Sequence, residues 1–223
     1  MTLEAVTQAP WLLPAFAAAS AVLSGALLAK HAGTGSRFVN IWVAAFAATT
    51  LADAFLTSKL SPLGGSTAMA IFFVILGDFR LFLLAEKVAR PLGPSLTAAR
   101  RALTFAFITP VLQRGVAFLL PEHFAGKDLR FTFLTYEVIC LVTLAVYAKR
   151  STREGDDAHV AVGDRLIGFF ALQYALWAIA DALILYAPSF RDIGFGLRLI
   201  PNVMYYGVFV PFGYAQAAPR VSK

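Results

Sequence analysis

The chain has 223 residues, of which 59% are hydrophobic and 14% charged, and its mean hydropathy is +0.70. No polar block is large enough to form a soluble domain, so the composition predicts a single membrane domain over residues 1–223. The formal charge of +6 does not indicate nucleic-acid binding, because the basic residues are spread over alternate loops.

Seven apolar stretches are each long enough to cross a hydrocarbon core of about 30 Å at about 1.5 Å per residue. The first is interpreted as a helix and not as a secretory signal, because Glu4 precedes it without any Lys or Arg. The polar segment 150–164 is interpreted as a solvated connector, with a docking site as the alternative. The sequence thus predicts an all-α integral membrane protein with seven transmembrane helices over residues 11–29, 38–58, 67–85, 102–121, 131–148, 166–187 and 193–217.

Basic residues outside the predicted helices alternate by loop. Twelve lie on one predicted side and four on the other, and the N-terminal segment has none. Because positively charged loops stay cytoplasmic, this pattern predicts an external N-terminus and a cytoplasmic C-terminus. The twelve are Lys30, Arg37, Lys87, Arg90, Arg100, Arg101, Lys149, Arg150, Arg153, Arg165, Arg220 and Lys223; the four are Lys59, Lys127, Arg130 and Arg191.

A short internal repeat relates the second and sixth predicted helices. Residues 51–56 read Leu-Ala-Asp-Ala-Phe-Leu and residues 179–184 read Ile-Ala-Asp-Ala-Leu-Ile, both near the outer end of their helix. A genuine repeat predicts two parallel three-helix halves joined by the fourth helix, a 3+1+3 plan. Chance similarity is the alternative, because the motif is short and alanine is abundant.

Seven charged side chains lie within the predicted helices, and they are the main indication of function. Insertion of an ionised group into hydrocarbon costs at least about 2.5 to 3.5 kcal/mol. Each of these groups is therefore expected to be paired, hydrated or required for function. Counting along the helices places most of them in the outer half, which predicts a polar cavity open to the exterior with Asp78 near its floor. The acids are Asp53, Asp78, Glu137 and Asp181, and the bases are Arg80, Arg114 and Arg198.

Position along the helices predicts how some of these charges are paired. Arg114 and Glu137 fall at one level on consecutive antiparallel helices, so we expect them to form an ion pair, either structural or part of a proton relay. Arg80 follows Asp78 by two residues, about 200° around the helix, so the two cannot share a narrow face. We therefore expect one of the two to have a different partner, or Arg80 to bend toward the inner interface.

Asp53 and Asp181 occupy matching positions in the possible repeat, which points to a site between the halves. Arg198 is expected to reach Asp181, or Asp53 if the second and seventh helices are neighbours. Pro201 lacks a backbone donor and frees carbonyl groups near Asn202. The predicted ligand-binding residues are Asp53, Asp78, Asp181, Arg198, Asn202, Tyr205 and Trp177, with Tyr174 and Phe79 as further aromatic lining.

Several kinds of site are excluded by what the predicted helices lack. His31, His123 and His159 all fall in predicted loops, so intramembrane imidazoles cannot bind haem or zinc. No lysine lies in a predicted helix, which excludes a retinal Schiff base. We therefore expect no bound cofactor. The single cysteine, Cys140, cannot form an internal disulfide.

The seven helices, the external N-terminus and the possible repeat resemble the plan shared by microbial rhodopsins and SWEET-type sugar transporters. This resemblance is one of topology and covers no motif, since the rhodopsin lysine and the proline pattern of the sugar transporters are missing. Residues 75–78, Ile-Leu-Gly-Asp, are similar to an apolar-Gly-Asp segment of the lysoplasmalogenase family of membrane enzymes. That family's further helix and histidine have no counterpart, so its activity is not transferred.

These features favour a multi-pass protein of the cell membrane that binds and transports a small polar or zwitterionic solute. The first alternative is a non-enzymatic sensor or accessory subunit, with basic inner loops that bind a cytoplasmic protein, anionic lipid or a second copy of the chain. The second alternative is a lipid-modifying enzyme that uses buried carboxylates, with Asp78 as acid or base. Membrane lipids and the solute are the expected partners.

Overall fold

A computed structural model describes residues 2–30, 36–89, 95–124, 129–151 and 157–221, and all regular structure in these ranges is helical. Seven segments are long and apolar enough to cross a membrane, which confirms the prediction of seven membrane-length helices. These segments are Leu12–Lys30, Arg37–Leu56, Thr67–Ala89, Ser95–Leu119, Leu129–Arg150, Val160–Tyr186 and Pro188–Ala218.

The described part of the chain has ten α-helices. The seventh span also contains a short 3-10 turn, Pro188–Phe190, and a π-helical segment, Val203–Val208. Helix α1, which the sequence did not predict, precedes the first span and packs on α9. In chain order the helices are α1 Leu3–Thr7, α2 Leu12–Lys30, α3 Arg37–Leu56, α4 Thr67–Ala89, α5 Ser95–Leu119, α6 Pro121–Phe124, α7 Leu129–Ser151, α8 Asp157–Tyr186, α9 Arg191–Asn202 and α10 Phe209–Val221.

Helix α4 is longer than predicted and carries two further charges. It continues to Ala89, so Glu86 and Lys87 are buried within a span instead of lying in a loop. The Tyr147 hydroxyl donates to Glu86 Oε1 at 3.0 Å, and Lys87 Nζ lies 5.6 Å from the centre of the Phe38 ring. The expectation that no lysine lies in a span is therefore wrong, because hydrogen-bond and cation–π contacts support charge at this helix end.

Helix α8 also extends further than the sequence indicated. It begins at Asp157, so part of the predicted connector 150–164 is helical, and the rest of the connector between α7 and α8 is outside the described residues. His159 lies in the first turn of α8 and His123 lies in α6, so the prediction that they fall in loops is wrong. Both residues nevertheless lie outside the seven apolar spans. His31 lies outside the described residues.

The spans pack in chain order around the bundle. Each contacts the next, and the seventh contacts the first through the π-helical segment and α10. Helix α4 also contacts α8 and α10, which places it inside the bundle. The apolar core fills the half of the bundle that holds the end of α10, around Trp42, Leu84, Phe170 and Phe209. The buried polar side chains of the cavity described below lie in the other half.

The seventh span changes its hydrogen-bond register in the middle. Pro201 has no backbone N–H, and the π-helical segment begins two residues later. There the Phe209 N–H donates to the Met204 carbonyl, five residues back, and not to Tyr205. The Tyr205 carbonyl instead accepts a hydrogen bond from Arg80 Nη2 at 3.1 Å. The irregular backbone expected near Pro201 thus supplies an acceptor for a buried charge.

Candidate functional site

A cavity of about 280 Å³ lies among the helix ends on the N-terminal side of the bundle, large enough for several waters or a small organic molecule. Helix α1 and the residue after it contribute to its wall, and α2, α3, α4, α7, α8 and the seventh span supply the rest. The lining combines acids, arginines and aromatic rings: Thr7, Gln8, Leu13, Asp53, Thr57, Ala70, Val74, Arg130, Phe133, Tyr136, Glu137, Tyr174, Trp177, Phe195, Arg198, Asn202, Tyr205 and Tyr206.

Two arginines in the wall share one buried carboxylate. Asp181 of α8 is fully buried, and its Oδ1 accepts hydrogen bonds from Arg130 Nη1 at 3.2 Å and from Arg198 Nη1. The arginine side chains are 22% and 21% exposed and line the cavity, whereas Asp181 lies behind them. The predicted contact between Arg198 and Asp181 is confirmed. Asp181 therefore positions two cations on the cavity wall.

Glu137 lies in the same wall as these arginines. It is buried, and its Oε2 has no hydrogen-bond partner among the described residues. Its charge interacts with Asp181, Arg198 and Arg130. The predicted ion pair between Glu137 and Arg114 is wrong: Arg114 is exposed on the outer face of α5, whereas Glu137 faces the cavity. Equal depth along two helices did not bring the side chains together, because they project from different faces.

Asp53 supplies an acid from another wall, on α3. It is buried, lines the cavity, and accepts a hydrogen bond at Oδ1 from Thr57 Oγ1 at 3.3 Å. The four-residue spacing places both on one helix face, and Tyr205 and Tyr206 lie beside the carboxylate. Asp53 and Asp181 therefore have different environments, since only Asp53 belongs to the cavity lining.

Asp78 is separated from the cavity by two tyrosines. Its Oδ1 accepts from the Tyr174 hydroxyl at 2.5 Å and its Oδ2 from the Tyr136 hydroxyl at 2.6 Å. Asp78 is itself buried, whereas both tyrosines line the cavity. The carboxylate predicted near the cavity floor thus lies one hydrogen bond beyond the wall.

Arg80 is buried and finds its partners on α3 and the π-helical segment. Its guanidinium donates to Thr50 Oγ1 and to the Tyr205 carbonyl, and its Cζ lies 4.2 Å from the centre of the Tyr205 ring. Arg80 and Asp78 thus have different partners, as their spacing along α4 indicated. Asp53 and Asp78 both interact with its charge, so Arg80 is a cation between two acids.

Trp177 and Asn202 form a polar contact within the aromatic lining. Trp177 Nε1 donates to Asn202 Oδ1 at 2.9 Å, and both side chains line the cavity. The centre of the Trp177 ring lies 5.6 Å from that of Tyr205 and 5.4 Å from that of Tyr174. Phe79 packs against the apolar core and is not part of the lining.

Sequence reasoning missed several lining residues. Arg130 was assigned to a loop, although it and Glu137 are seven residues apart, a spacing that places both on one helix face. Thr57 and Tyr136 carried a weaker signal, because polar-tipped side chains on buried helices are common. The prediction that no cofactor is bound stays a prediction.

The chain matches no protein-family model, no curated protein and no solved structure. Function therefore has to be argued from the chemistry of the cavity. Its arginines can bind an anionic group through charge-assisted hydrogen bonds, and its carboxylates can bind an ammonium group in the same way. The arrangement suits a ligand that carries both.

Proposed function

We propose that this protein binds a small zwitterionic solute in the cavity and transports it across the membrane. The observation that carries the proposal is the presence of opposite charges on different helices of one cavity: Asp53 on α3, and Arg130 and Arg198 on α7 and α9. The carboxylate of a zwitterionic ligand would bind the two arginines, and its ammonium group would bind Asp53. The rings of Trp177 and Tyr205 add apolar and cation–π contacts.

The anchoring by Asp181 supports this proposal. Asp181 holds the Arg198 guanidinium through Nη1, and the other N–H donors of Arg198 remain for a ligand carboxylate. A side chain that is already positioned loses less rotamer entropy when the ligand binds. The arrangement is therefore suited to recognition of a carboxylate by geometry as well as by charge.

We further propose that Asp78 or Glu137 binds a coupling proton. Among the described residues, the cavity and the layer behind its wall contain four acids and three arginines, so the acids counted there outnumber the bases by one. A proton or the cationic end of a solute would relieve this excess in a buried setting. The groups counted are Asp53, Asp78, Glu137, Asp181, Arg80, Arg130 and Arg198.

The proposed orientation has an external N-terminus, so that the cavity opens outward. With Lys87 buried in α4 and Arg130 in the cavity, eleven basic residues remain on the inner side and three on the outer side. In this orientation the apolar core would close the inner half of the bundle. Transport then requires a rearrangement of the bundle. We propose that the two halves of the 3+1+3 plan move relative to each other and that the seventh span bends at the irregular backbone after Pro201.

Uptake into proteoliposomes tests the proposal. A panel of radiolabelled neutral amino acids is presented with and without an inward proton gradient. We expect gradient-dependent uptake of a panel member by the wild type, and loss of that uptake in Asp78→Asn or in Glu137→Gln, whichever residue binds the proton. Arg198→Gln should have an apparent affinity at least about tenfold weaker. Asp164→Asn, the same chemical change at an exposed position of α8, should behave as wild type.

Different outcomes separate the alternatives. Uptake that is unaffected in Asp78→Asn contradicts the coupling role of that residue. Saturable binding of an amino acid without uptake favours a sensor or accessory subunit. A protein that neither binds nor transports any zwitterion of the panel contradicts the proposed function.

A further inference from the structure

A second, smaller groove lies on the outside of the bundle between α4, α5 and α7. Its apolar wall includes Ile71, Val74 and Phe133, and Arg114 and Gln113 of α5 supply a charge and an amide. Val74 and Phe133 also line the central cavity, so the groove and the cavity share a wall. The groove lies on the same side of the membrane as the cavity.

Arg114 belongs to an exposed, largely apolar surface of α5. It shares a helix face with the exposed residues Phe107, Val111 and Phe118. Within the described ranges it has no hydrogen-bond or ion-pair partner. It lies five residues before Leu119, the end of α5, roughly 7.5 Å along the axis, so its long side chain can reach the headgroup layer. In that layer a lipid phosphate can pair with its charge.

Gln113 provides an independent second observation. Its side chain is 3% exposed and lines the groove, and its Nε2 has no hydrogen-bond partner in the described part of the chain. A buried amide donor without an acceptor is unfavourable unless a bound molecule supplies one. A cation and an amide donor on adjacent residues both suit an anion rich in oxygen acceptors, such as a phosphate group.

We propose that this groove binds a membrane phospholipid, with its phosphate on Arg114 and Gln113 and an acyl chain along Ile71, Val74 and Phe133. A lipid fits better than free phosphate because most of the rest of the wall is apolar and the surrounding face of α5 exposes large apolar side chains. The site is separate from the solute cavity, and the inference does not depend on the proposed transport.

Native mass spectrometry of the delipidated protein, titrated with dioleoylphosphatidylglycerol, measures this binding. We expect one saturable lipid on the wild type and about tenfold weaker binding in Arg114→Gln, which removes the charge-assisted hydrogen bond. Gln113→Met removes the amide at similar volume and should weaken binding about threefold. Dioleoylglycerol, which has the chains without the phosphate, should bind at least about tenfold more weakly than the phospholipid.

Arg100→Gln is the matched control, because Arg100 is an exposed arginine at the opposite end of the same helix. It should leave the affinity of the saturable lipid unchanged. Equal losses in Arg100→Gln and Arg114→Gln, or no loss in Arg114→Gln, overturn the proposed site. Binding of inorganic phosphate alone with the affinity of the phospholipid overturns the lipid assignment. Thermal unfolding of each variant shows that it is folded.

Discussion

Replacement of Asp181 by Asn should destabilise the bundle and weaken the solute site together. The Asp181 carboxylate is fully buried and accepts hydrogen bonds from both Arg130 and Arg198. Asparagine keeps the shape of the side chain but removes its charge, so both guanidinium groups lose their ionic contact with this residue. Glu137 still interacts with the charges of both arginines.

The size of the effect follows from the geometry. A hydrogen bond to a charged group contributes about 1.5 to 3 kcal/mol, so the two contacts set an upper bound of about 3 to 6 kcal/mol. Arg130 and Arg198 are 22% and 21% exposed, and water and Glu137 recover part of this loss. We expect a net loss of about 2 to 4 kcal/mol. For a chain of this length, that lowers the Tm by about 4 to 16 °C.

Thermal unfolding in detergent, followed by the fluorescence of the three tryptophans, measures the shift. Asp164→Asn, on the exposed face of the same helix, should change stability by less than about 0.5 kcal/mol. The double variant Asp181→Asn with Arg198→Gln should lose less than the sum of the single losses, since both changes remove the same ionic contact. A Tm of Asp181→Asn equal to that of the wild type refutes this reasoning.

Two further predictions concern the layer behind the cavity, and thermal unfolding measures both. Gly77→Ala places a Cβ atom against the Tyr205 hydroxyl and 2.8 Å from Cε2 of its ring, and should cost about 1 to 3 kcal/mol. Gly168→Ala, whose Cβ would have no atom within 4 Å, should be neutral or stabilising. Equal effects of the two substitutions would contradict the close packing at Gly77. Tyr136→Phe removes a hydrogen bond to Asp78 and should cost about 1 to 3 kcal/mol of stability. In an Asp78→Leu background the same substitution should cost much less. An equal cost in both backgrounds would show that this hydrogen bond is not the cause of the loss.

Hydropathy alone was sufficient to locate the seven spans, because a membrane-length helix needs a long apolar run and little else. The helix ends were less well defined. Glu86, Lys87 and Arg130 lie within a turn or two of predicted boundaries, and small errors there assigned them to loops. The π-helical register was not predictable, since it depends on hydrogen bonds formed only in the packed bundle.

The buried charges show how far the depth of a residue along its helix can predict the pairing of side chains. Depth correctly paired Arg198 with Asp181, whose side chains face each other across neighbouring helices. It failed for Arg114 and Glu137, because depth fixes the level of a residue and not the direction in which its side chain projects. That direction depends on helix rotation, which a single sequence with apolar residues on all sides of its helices defines poorly.

Thiol modification of Ala70→Cys tests the central claim most directly. Ala70 lines the cavity, and the only native cysteine, Cys140, is buried, so the wild type serves as the unreactive control. In right-side-out vesicles, a membrane-impermeant, charged methanethiosulfonate reagent should modify Ala70→Cys, and a bound zwitterion should slow the reaction. Absence of modification from the outside, or modification only after the inner face is exposed, would contradict an outward-facing solute cavity.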